Sequence, residues 1–561
     1  MESTAKKRIL NFNVGVLGHV DSGKTSLCKA LSTVASTASF DKNPQSKSRG
    51  ITLDLGFSSF PASLPEHLKS EPYDVLQFTL VDCPGHASLI KTIIGGAQII
   101  DLMILVVDIN KGMQTQTAEC LIIGQITCDK MIVVLNKIDL SPTEKRQYQI
   151  EKMKKRFGKT LENTKFAGSS IIAIAAKPDN DVNDSSCSIG INEMYEMLSS
   201  QAFVPQRNNS GPFLFAVDHC FLVRGQGTVM TGTVLKGTVS LNDNIEIPSM
   251  KVVKKVKSMQ MFRQPVSKAS QGDRAGLCVT QFDPKLLERG LVCQPSSVPT
   301  IFAGIVRVQK ISYYKGEIAS KVKFHVTIGH ETVMGSAQFF GLPAYAELPS
   351  DPQMFDFSQE YIFQEHLCGE ETADEDSLFN PKYQYAMLEL EKPVNCPDES
   401  LFIASCLDSD INLNNCRLAF HGKFLSMFTD KNYAAVNLPN LKIFKTKKKV
   451  GEVERVIDNF CLVGRGLFKK ETNIALFSNL KIHLSTSETG FIEGGFGQSG
   501  KFKVYIPNGL LPETLALIGH RSKRKGKVGR VDEYVEKGVV VKIILDFKRY
   551  IFDPEKKMIQ S

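Results

Sequence analysis

Gly18-His-Val-Asp-Ser-Gly23-Lys24-Thr25 directly follows the apolar run Asn13–Leu17 and precedes a helical pattern. A GxxxxGK[ST] stretch between a strand and a helix is a phosphate cradle. Its glycines let backbone N–H groups surround a β-phosphate, at a helix N-terminus that already favours anions. Asp21, Ser22 and Gly23 belong to the loop, Lys24 bridges β- and γ-phosphate oxygens, and the Thr25 hydroxyl binds Mg²⁺.

Two further motifs stand at the ends of later strands. Asp82-Cys-Pro-Gly85 closes Leu76–Val81, where Asp82 can hold Mg²⁺ through water and the Gly85 N–H can sense the γ-phosphate. Asn136-Lys137-Ile-Asp139 closes Met131–Leu135. There the Asp139 carboxylate can accept both guanine N1–H and N2–H₂, which adenine cannot supply. Asn136 braces the loop and the Lys137 stem covers the base. Three motifs in order, each at the carboxyl end of a strand, define a GTP-binding domain with GTP/GDP and Mg²⁺ as its ligands.

Leu102–Asp108 and Ile171–Ala175 read as further strands, and Gln114–Ile126 and Thr143–Arg156 as amphipathic helices. Strands alternating with helices predict a mostly parallel sheet covered on both faces, so residues 1–205 form an α/β P-loop GTPase domain. A polar break, Gln206–Gly211, ends it. From Pro212 onward the chain shows short alternating strands and frequent Gly turns, the pattern of antiparallel β-barrels. A cut at Ser296–Pro299 divides this part into barrel domains 206–298 and 299–440, and a basic fourth domain with barrel-like periodicity fills 441–561. Gly464–Gly490 reads as a Gly-bounded hairpin within it, and Glu370–Asp376 as a solvated acidic insertion.

Charge separates the last domain from the rest. The 561 residues carry a net +9. Residues 441–561 hold 24 basic and 13 acidic side chains, a net of +11, and the first 440 residues a net of −2. A polyanion partner is the first expectation for that end. Lys445–Lys449, Lys469, Lys470, Lys501, Lys503 and Lys548-Arg549 interleave with Phe468, Phe502, Tyr505, Phe547 and Tyr550. Such a mixture fits RNA binding by phosphate contact and stacking, and equally a barrel with core aromatics and a solvated basic face. The loop His520–Lys527 reads as a nuclear-import patch or as an RNA-contacting loop. The most apolar stretch, Thr92–Ile109, is broken by Gln98 and Asp101, so no membrane span is expected. The thirteen cysteines contain no CxxC pair, and the N-terminus lacks a secretory apolar core. The expected location is the cytoplasm, with the nucleus as a second compartment.

The nucleotide motifs resemble those of the translational GTPases. Arg49-Gly-Ile51-Thr52 looks like their first switch, whose Thr completes the Mg²⁺ shell, and Asp82-Cys-Pro-Gly85-His86 like their second. The resemblance implies that His86 orients the attacking water and that Val20 and Ile51 form an apolar gate in front of it. Ala175-Ala176-Lys177 stands where the family usually has Ser-Ala-Lys. The hydroxyl is missing, yet the Ala176 N–H can still meet the base.

Arg224-Gly-Gln-Gly-Thr-Val-Met-Thr-Gly232-Thr resembles the barrel that follows the G domain in elongation factor Tu and its relatives. That family grips an aminoacyl-tRNA, with the amino acid between the G domain and the first barrel. Where ordinary elongation factors have two acids before this motif, the chain has Asp218-His219, and it has Arg274 where they often have Asn. These changes add positive or protonatable character. A neutral side chain gains little from that, whereas an anionic one gains charge-assisted hydrogen bonds of roughly 1.5–3 kcal/mol each. Selenocysteine, with its acidic selenol, suits such a pocket.

The whole chain is similar to the eukaryotic selenocysteine-specific elongation factors. It shares Thr52-Leu-Asp-Leu-Gly-Phe57, Val253-Lys-Lys-Val-Lys-Ser-Met-Gln260 and Gly497-Gln-Ser-Gly-Lys-Phe502. The resemblance implies delivery of selenocysteinyl-tRNA to the ribosome at recoded UGA codons, with ribosome-stimulated GTP hydrolysis. It also implies contact with the recoding-element RNA through an RNA-bound adaptor protein, by a monomer with no membrane partner. Two rivals have discriminators. An initiator-tRNA carrier would usually bear a Cys₄ zinc knuckle, which the sequence lacks. A GTPase regulating a metabolic enzyme such as a sulfurylase has no use for the +11 segment.

Overall fold

The computed structural model describes residues 8–33, 55–85, 92–94, 99–176, 188–369, 378–408, 416–497, 499–522, 540–553 and 558–560. The chain falls into two compact units, Met1–Ala337 with Met387–Asp430, and Gln338–Ala386 with Lys431–Ser561.

The first unit begins with a six-stranded sheet. Its strands are β1 (Ile9–Gly18), β2 (Gly56–Ala62), β3 (Val75–Asp82), β4 (Leu102–Asp108), β5 (Lys130–Asn136) and β6 (Ile171–Ala173). They lie in the order β2-β3-β1-β4-β5-β6, parallel except for β2 against β3. Helices α1 (Lys24–Leu31), α2 (Thr115–Thr127), α3 (Thr143–Leu161) and α4 (Ile191–Gln201) cover both faces.

Strand β4 shows why. All seven of its residues are buried. Leu102, Ile104 and Val106 enter the core under α1 and α4, while Met103, Leu105 and Val107 enter the one under α2 and α3. A strand buried on both sides needs a continuous apolar run. Each such side chain contributes about 1.5–3 kcal/mol relative to exposure.

The expected strands are found, with shifted ends. β1 starts four residues earlier than the apolar run suggests, because Ile9–Phe12 pair with Val75–Phe78. β6 stops at Ala173, and Ala175 instead forms a lone bridge to Ile189. β2 has no counterpart in the sequence reading. Its Ser58-Ser59 and Pro61 give a weak strand signal, and an edge position tolerates the proline.

In the next part, β7 (Leu214–Val223) and β8 (Gly227–Lys236) pair antiparallel, and the strand Arg274–Val279 joins the far side of β8. Both sit in a seven-stranded sheet closed around Phe215, Val217, Met230, Leu277 and Val292. Strands Thr300–Lys310, Lys323–Ile328, Leu401–Ser405 and Leu418–Phe428 follow, all antiparallel to their neighbours. Ile311, Ile403 and Leu418 from this part share the core of α2 and α3. Beside them, Arg417 forks onto Glu119 of α2, Nε to Oε1 at 2.9 Å and Nη2 to Oε2 at 2.8 Å, with both residues buried.

In the second unit the long strand Ile443–Val456 pairs antiparallel with Lys542–Tyr550. Gly464–Gly490 is not a hairpin. Cys461–Arg465 pairs with Phe502–Tyr505, which pairs in turn with Thr489–Gly495, and Lys481–Leu484 lies on the far side of that strand; a short 3₁₀ turn at Ile474–Phe477 intervenes in the chain. The helix Pro512–Ser522 is also absent from the sequence expectation. Among the described residues the cysteines are free thiols. Cys28, Cys83 and Cys120 are fully buried around the phosphate loop, and burial pushes their thiols up, that of Cys120 to about 11.

Candidate nucleotide and aminoacyl sites

β1 ends where the phosphate loop begins. Asp21 and Gly23 take left-handed conformations, and Gly23 caps α1. Lys24 is buried and its Nζ donates to the His19 carbonyl at 2.8 Å. Burial lowers its pKa, and Asp82 opposes that. Gly85 lies against the same loop: a Cβ there would run into Lys24 Nζ and the backbone of His19 and Val20. Val20 stands in this turn, half-buried.

Thr25 Oγ1 donates to Asp82 Oδ2 at 2.7 Å. Asp82 is almost wholly buried, which raises its carboxyl to about 6 against the opposing hydrogen bond from Thr25 and the charge of Lys24. Its other oxygen, Oδ1, is buried without a hydrogen-bond partner. A hydroxyl and an under-satisfied carboxylate at this spacing are hard oxygen donors, and they fit Mg²⁺.

The guanine loop is bound to the phosphate loop. Asn136 Nδ2 donates to the Ser22 carbonyl at 3.0 Å, and its Oδ1 accepts from Lys137 N at 2.8 Å and Ala176 N at 3.1 Å. Asn136 therefore braces three segments at once. Lys137 is left-handed (φ 67°), and its Nζ pairs with Asp108 Oδ2 at 3.1 Å. Asp139 sits half-buried in the 3₁₀ turn Ile138–Leu140. Asp108 was not singled out from the sequence; its signal is an acid ending an apolar strand directly beside Asn136 in the register. Ile51, Thr52, His86 and Lys177 lie outside the described residues.

Asp218 and Arg274 come together. Arg274 Nη1 donates to Asp218 Oδ2 at 2.6 Å, and the Asp218 side chain is 2% exposed. Asp218 is the extra residue of a bulge between Val217 and His219 in the β7–β8 ladder. A bulge re-aims a side chain out of the strand's alternation. The Arg274 guanidinium lies over the Phe57 ring of β2, Cζ 3.1 Å from the centroid. Burial pulls Arg274 down from its ordinary value and Asp218 opposes it. His219 is half-buried on β7, its carbonyl accepting from Thr231 Oγ1 at 3.4 Å. Sequence reasoning missed two neighbours. One is Phe57, quoted only as part of a motif. The other is His330, kept low by burial and placed where Asp218 and Arg289 both act on it. His330 carries no local signal, because a turn from a distant part of the chain brings it there.

In the second unit, many of the basic residues are paired locally. Lys445 meets Glu365 at 2.6 Å, Lys501 meets Glu454 at 2.6 Å, Lys503 meets Glu493 at 2.8 Å and Lys548 meets Glu360 at 2.8 Å. Phe468, Phe502 and Phe547 are core residues, while Tyr505 is 39% exposed. Most of the interleaved aromatics therefore build the barrel. The patch His520–Lys527 lies outside the described residues from 523 onward.

A mostly parallel sheet whose strands end in the Gly18–Thr25, Asp82–Gly85 and Asn136–Asp139 loops, followed by a barrel packed against it, defines a GTPase of the elongation factor Tu type. A family model of the elongation factor Tu GTP-binding domain matches residues 9–240, and one of elongation factor Tu domain 2 matches 227–293. The third domain of eukaryotic selenocysteine-specific elongation factors matches 305–422, and the eEFSec C-terminal RIFT domain matches 439–556. The mouse selenocysteine-specific elongation factor is 55% identical over 99% of both chains. That of Methanocaldococcus jannaschii is 38% identical over 58% of this chain and 65% of its own. Among solved structures, elongation factor SelB of Methanococcus maripaludis with the GTP analogue GPPNHP has a TM-score of 0.67 at 25% identity, covering 97% of this chain and all of that one. The chain belongs to the selenocysteine-specific elongation factor family, and it is a GTPase of translation elongation.

Proposed function

We propose that the protein binds selenocysteinyl-tRNA in its GTP form, delivers it to the ribosome at recoded UGA codons and hydrolyses GTP on delivery. The observation that carries the reading is the buried Asp218–Arg274 pair on Phe57. Arg274 spends Nη1 on Asp218, which leaves the rest of its planar fork for an anion. A selenolate is such an anion and a seryl hydroxyl is not. With one partner desolvated, the difference is worth about 1.5–3 kcal/mol, or roughly 10- to 150-fold in affinity.

In the nucleotide site, Lys24 holds the phosphates, Thr25 and Asp82 hold Mg²⁺, and Asn136, Lys137, Asp139 and Ala176 read guanine. Mg²⁺, held by Thr25 and Asp82, would supply charge neutralisation for the phosphates. Thr52 completes its shell, Lys177 adds to the guanine loop, and His86 orients the attacking water behind the gate of Val20 and Ile51. Contact with the recoding RNA, through an RNA-bound adaptor, falls to residues 441–561, in a monomeric protein of the cytoplasm with the nucleus as a second compartment.

The test is binding of one tRNA, charged with selenocysteine and then with serine, in the presence of a non-hydrolysable GTP analogue. A preference of about tenfold or more for the selenocysteinyl form is expected. Equal affinity would leave a tRNA carrier whose specificity lies in the tRNA body or in residues 441–561. Binding of neither form would favour a regulatory GTPase.

A further inference from the structure

We propose that Asn11, Asn13, Asp101 and Arg207 are positioning residues for the aminoacyl pocket. They hold the turn that carries Arg274 against the strand that runs into the phosphate loop. The inference rests on the pocket reading above.

The turn is Gln271-Gly-Asp-Arg274. Its Gly272 carbonyl accepts from Asn13 Nδ2 at 3.1 Å, and its Asp273 Oδ1 accepts from Asn11 Nδ2 at 2.5 Å. Asn11 and Asn13 are both buried, and being two apart on β1 they share one face. Arg207, in the segment after α4, closes the cluster. Its Nη2 donates to Asp101 Oδ2 at 2.6 Å and reaches the Asn11 carbonyl at 3.4 Å. Asp101 Oδ2 also accepts from Asn13 N at 2.9 Å. Gly272 is required twice over. Its φ is +87°, and a Cβ would overlap the Arg207 guanidinium. The turn is also held from its own side, by Gly272 N to the Val234 carbonyl at 2.8 Å and Val234 N to the Asp273 carbonyl at 2.9 Å.

The consequence is geometric. Arg274 directly follows Asp273, and its guanidinium rests on Phe57 of β2. β3 lies between β1 and β2 in one sheet, and Phe57 is level with Gly15, so the anchor points are two strand spacings across and two to four residues along, about 12–16 Å apart. One turn gripped at both points of a rigid sheet has its arginine fixed in direction as well as in place. Asn13 is five residues before Gly18, roughly 17 Å along the strand. The cluster therefore anchors side-chain reading on the element that presents the phosphate loop. A site that must discriminate one side chain needs its donor held within about 0.5 Å, by supporting bonds of this sort.

The test uses full-length protein with a GTP analogue, and the selenocysteinyl and seryl forms of one tRNA. In Arg207→Ala and Asn11→Ala the preference for the selenocysteinyl form should fall about tenfold, while seryl-tRNA and GDP affinities change less than about threefold. Arg207→Lys should recover only part of the preference, since a lysine cannot span both acceptors. Asn13→Ser, which removes only the bond to the Gly272 carbonyl, is the milder variant should Arg207→Ala fail to fold. Amide exchange at Gly272 should speed up in the same variants, with that of Val75–Asp82 unchanged. Unchanged Gly272 exchange, an unaltered preference, or equal losses for both charged forms would each overturn the proposal. Absence of any preference in the unaltered protein would overturn the pocket reading, and this inference with it.

Discussion

Arg274 carries two separable loads. On the reading proposed above it is the donor of the aminoacyl pocket, and it is the counter-charge that makes a buried Asp218 tolerable. Arg274→Ala should therefore abolish the selenocysteinyl preference and also cost stability. Stranding a buried carboxylate costs about 3–5 kcal/mol, visible as a lower denaturation midpoint. The double variant Asp218→Asn/Arg274→Ala should recover much of the stability and none of the preference. If the double variant is as unstable as the single one, Asp218 is not the group that Arg274 compensates. Lys24→Ala should weaken GTP by at least about tenfold through loss of a charge-assisted bond, with unchanged affinity contradicting its phosphate role. Arg274 was legible in the sequence because it departs from a known pattern at a known place, and Asp218 because its neighbour His219 does. Phe57 and His330 were not, since their part in the cluster is a matter of which strands and turns meet. Asn13 opened a run read only as a strand and Asn11 lay just before it, and neither has a local signal for the turn that covers them.

At the scale of single elements, strands buried on both faces were the easiest to read. β4 and β5 match the apolar runs to within a residue, because such strands admit polar residues only at their ends, as at Asp108 and Asn136. β2 escaped because an edge strand with serines and a proline need not look like one. The helix Pro512–Ser522 escaped because it interrupts a segment of strand periodicity. The strand Leu418–Phe428 makes a prediction of its own. His421 stands between Gln309 and Ile403 of its neighbours, and burial pushes its pKa down to about 4. The unfolded chain binds its proton below about 6.5 and the folded chain does not until about 4. Stability from this residue is thus present above about 6.5 and lost as pH falls toward 4, with an effect on the order of 1–3 kcal/mol. His421→Gln should flatten the pH dependence of the unfolding midpoint across that window. An unchanged slope would assign the acid sensitivity to other groups.

At the scale of the whole molecule, the G domain and the barrels of the first unit were expected as separate bodies in the sequence. They are joined there by a shared core and by Glu119–Arg417, which no local pattern announces. Removing one partner of a buried, forked pair typically costs about 3–5 kcal/mol. Arg417→Ala should accordingly lower the urea midpoint of the first unit. Glu119→Gln, which keeps the shape and loses the charge, should do so as well. A midpoint unmoved by either would reduce the pair to a packing detail. Nucleotide adds to the same balance. GDP at a hundred times its dissociation constant should stabilise the protein by about 2.7 kcal/mol, and a roughly tenfold weaker affinity in Lys24→Ala should cut that gain to about 1.4 kcal/mol at the same concentration.

The thiols around the phosphate loop bear on the chemistry of the cargo. A selenolate attacks sulfur bonds and is itself readily oxidised, so a carrier with exposed thiolates would risk becoming joined to what it carries. Exchange needs an accessible sulfur in its deprotonated form. Cys28, Cys83 and Cys120 offer neither, being enclosed and held protonated. The core that shapes the nucleotide site is in this respect chemically inert toward its passenger, and it should take up an alkylating reagent only as fast as the domain unfolds.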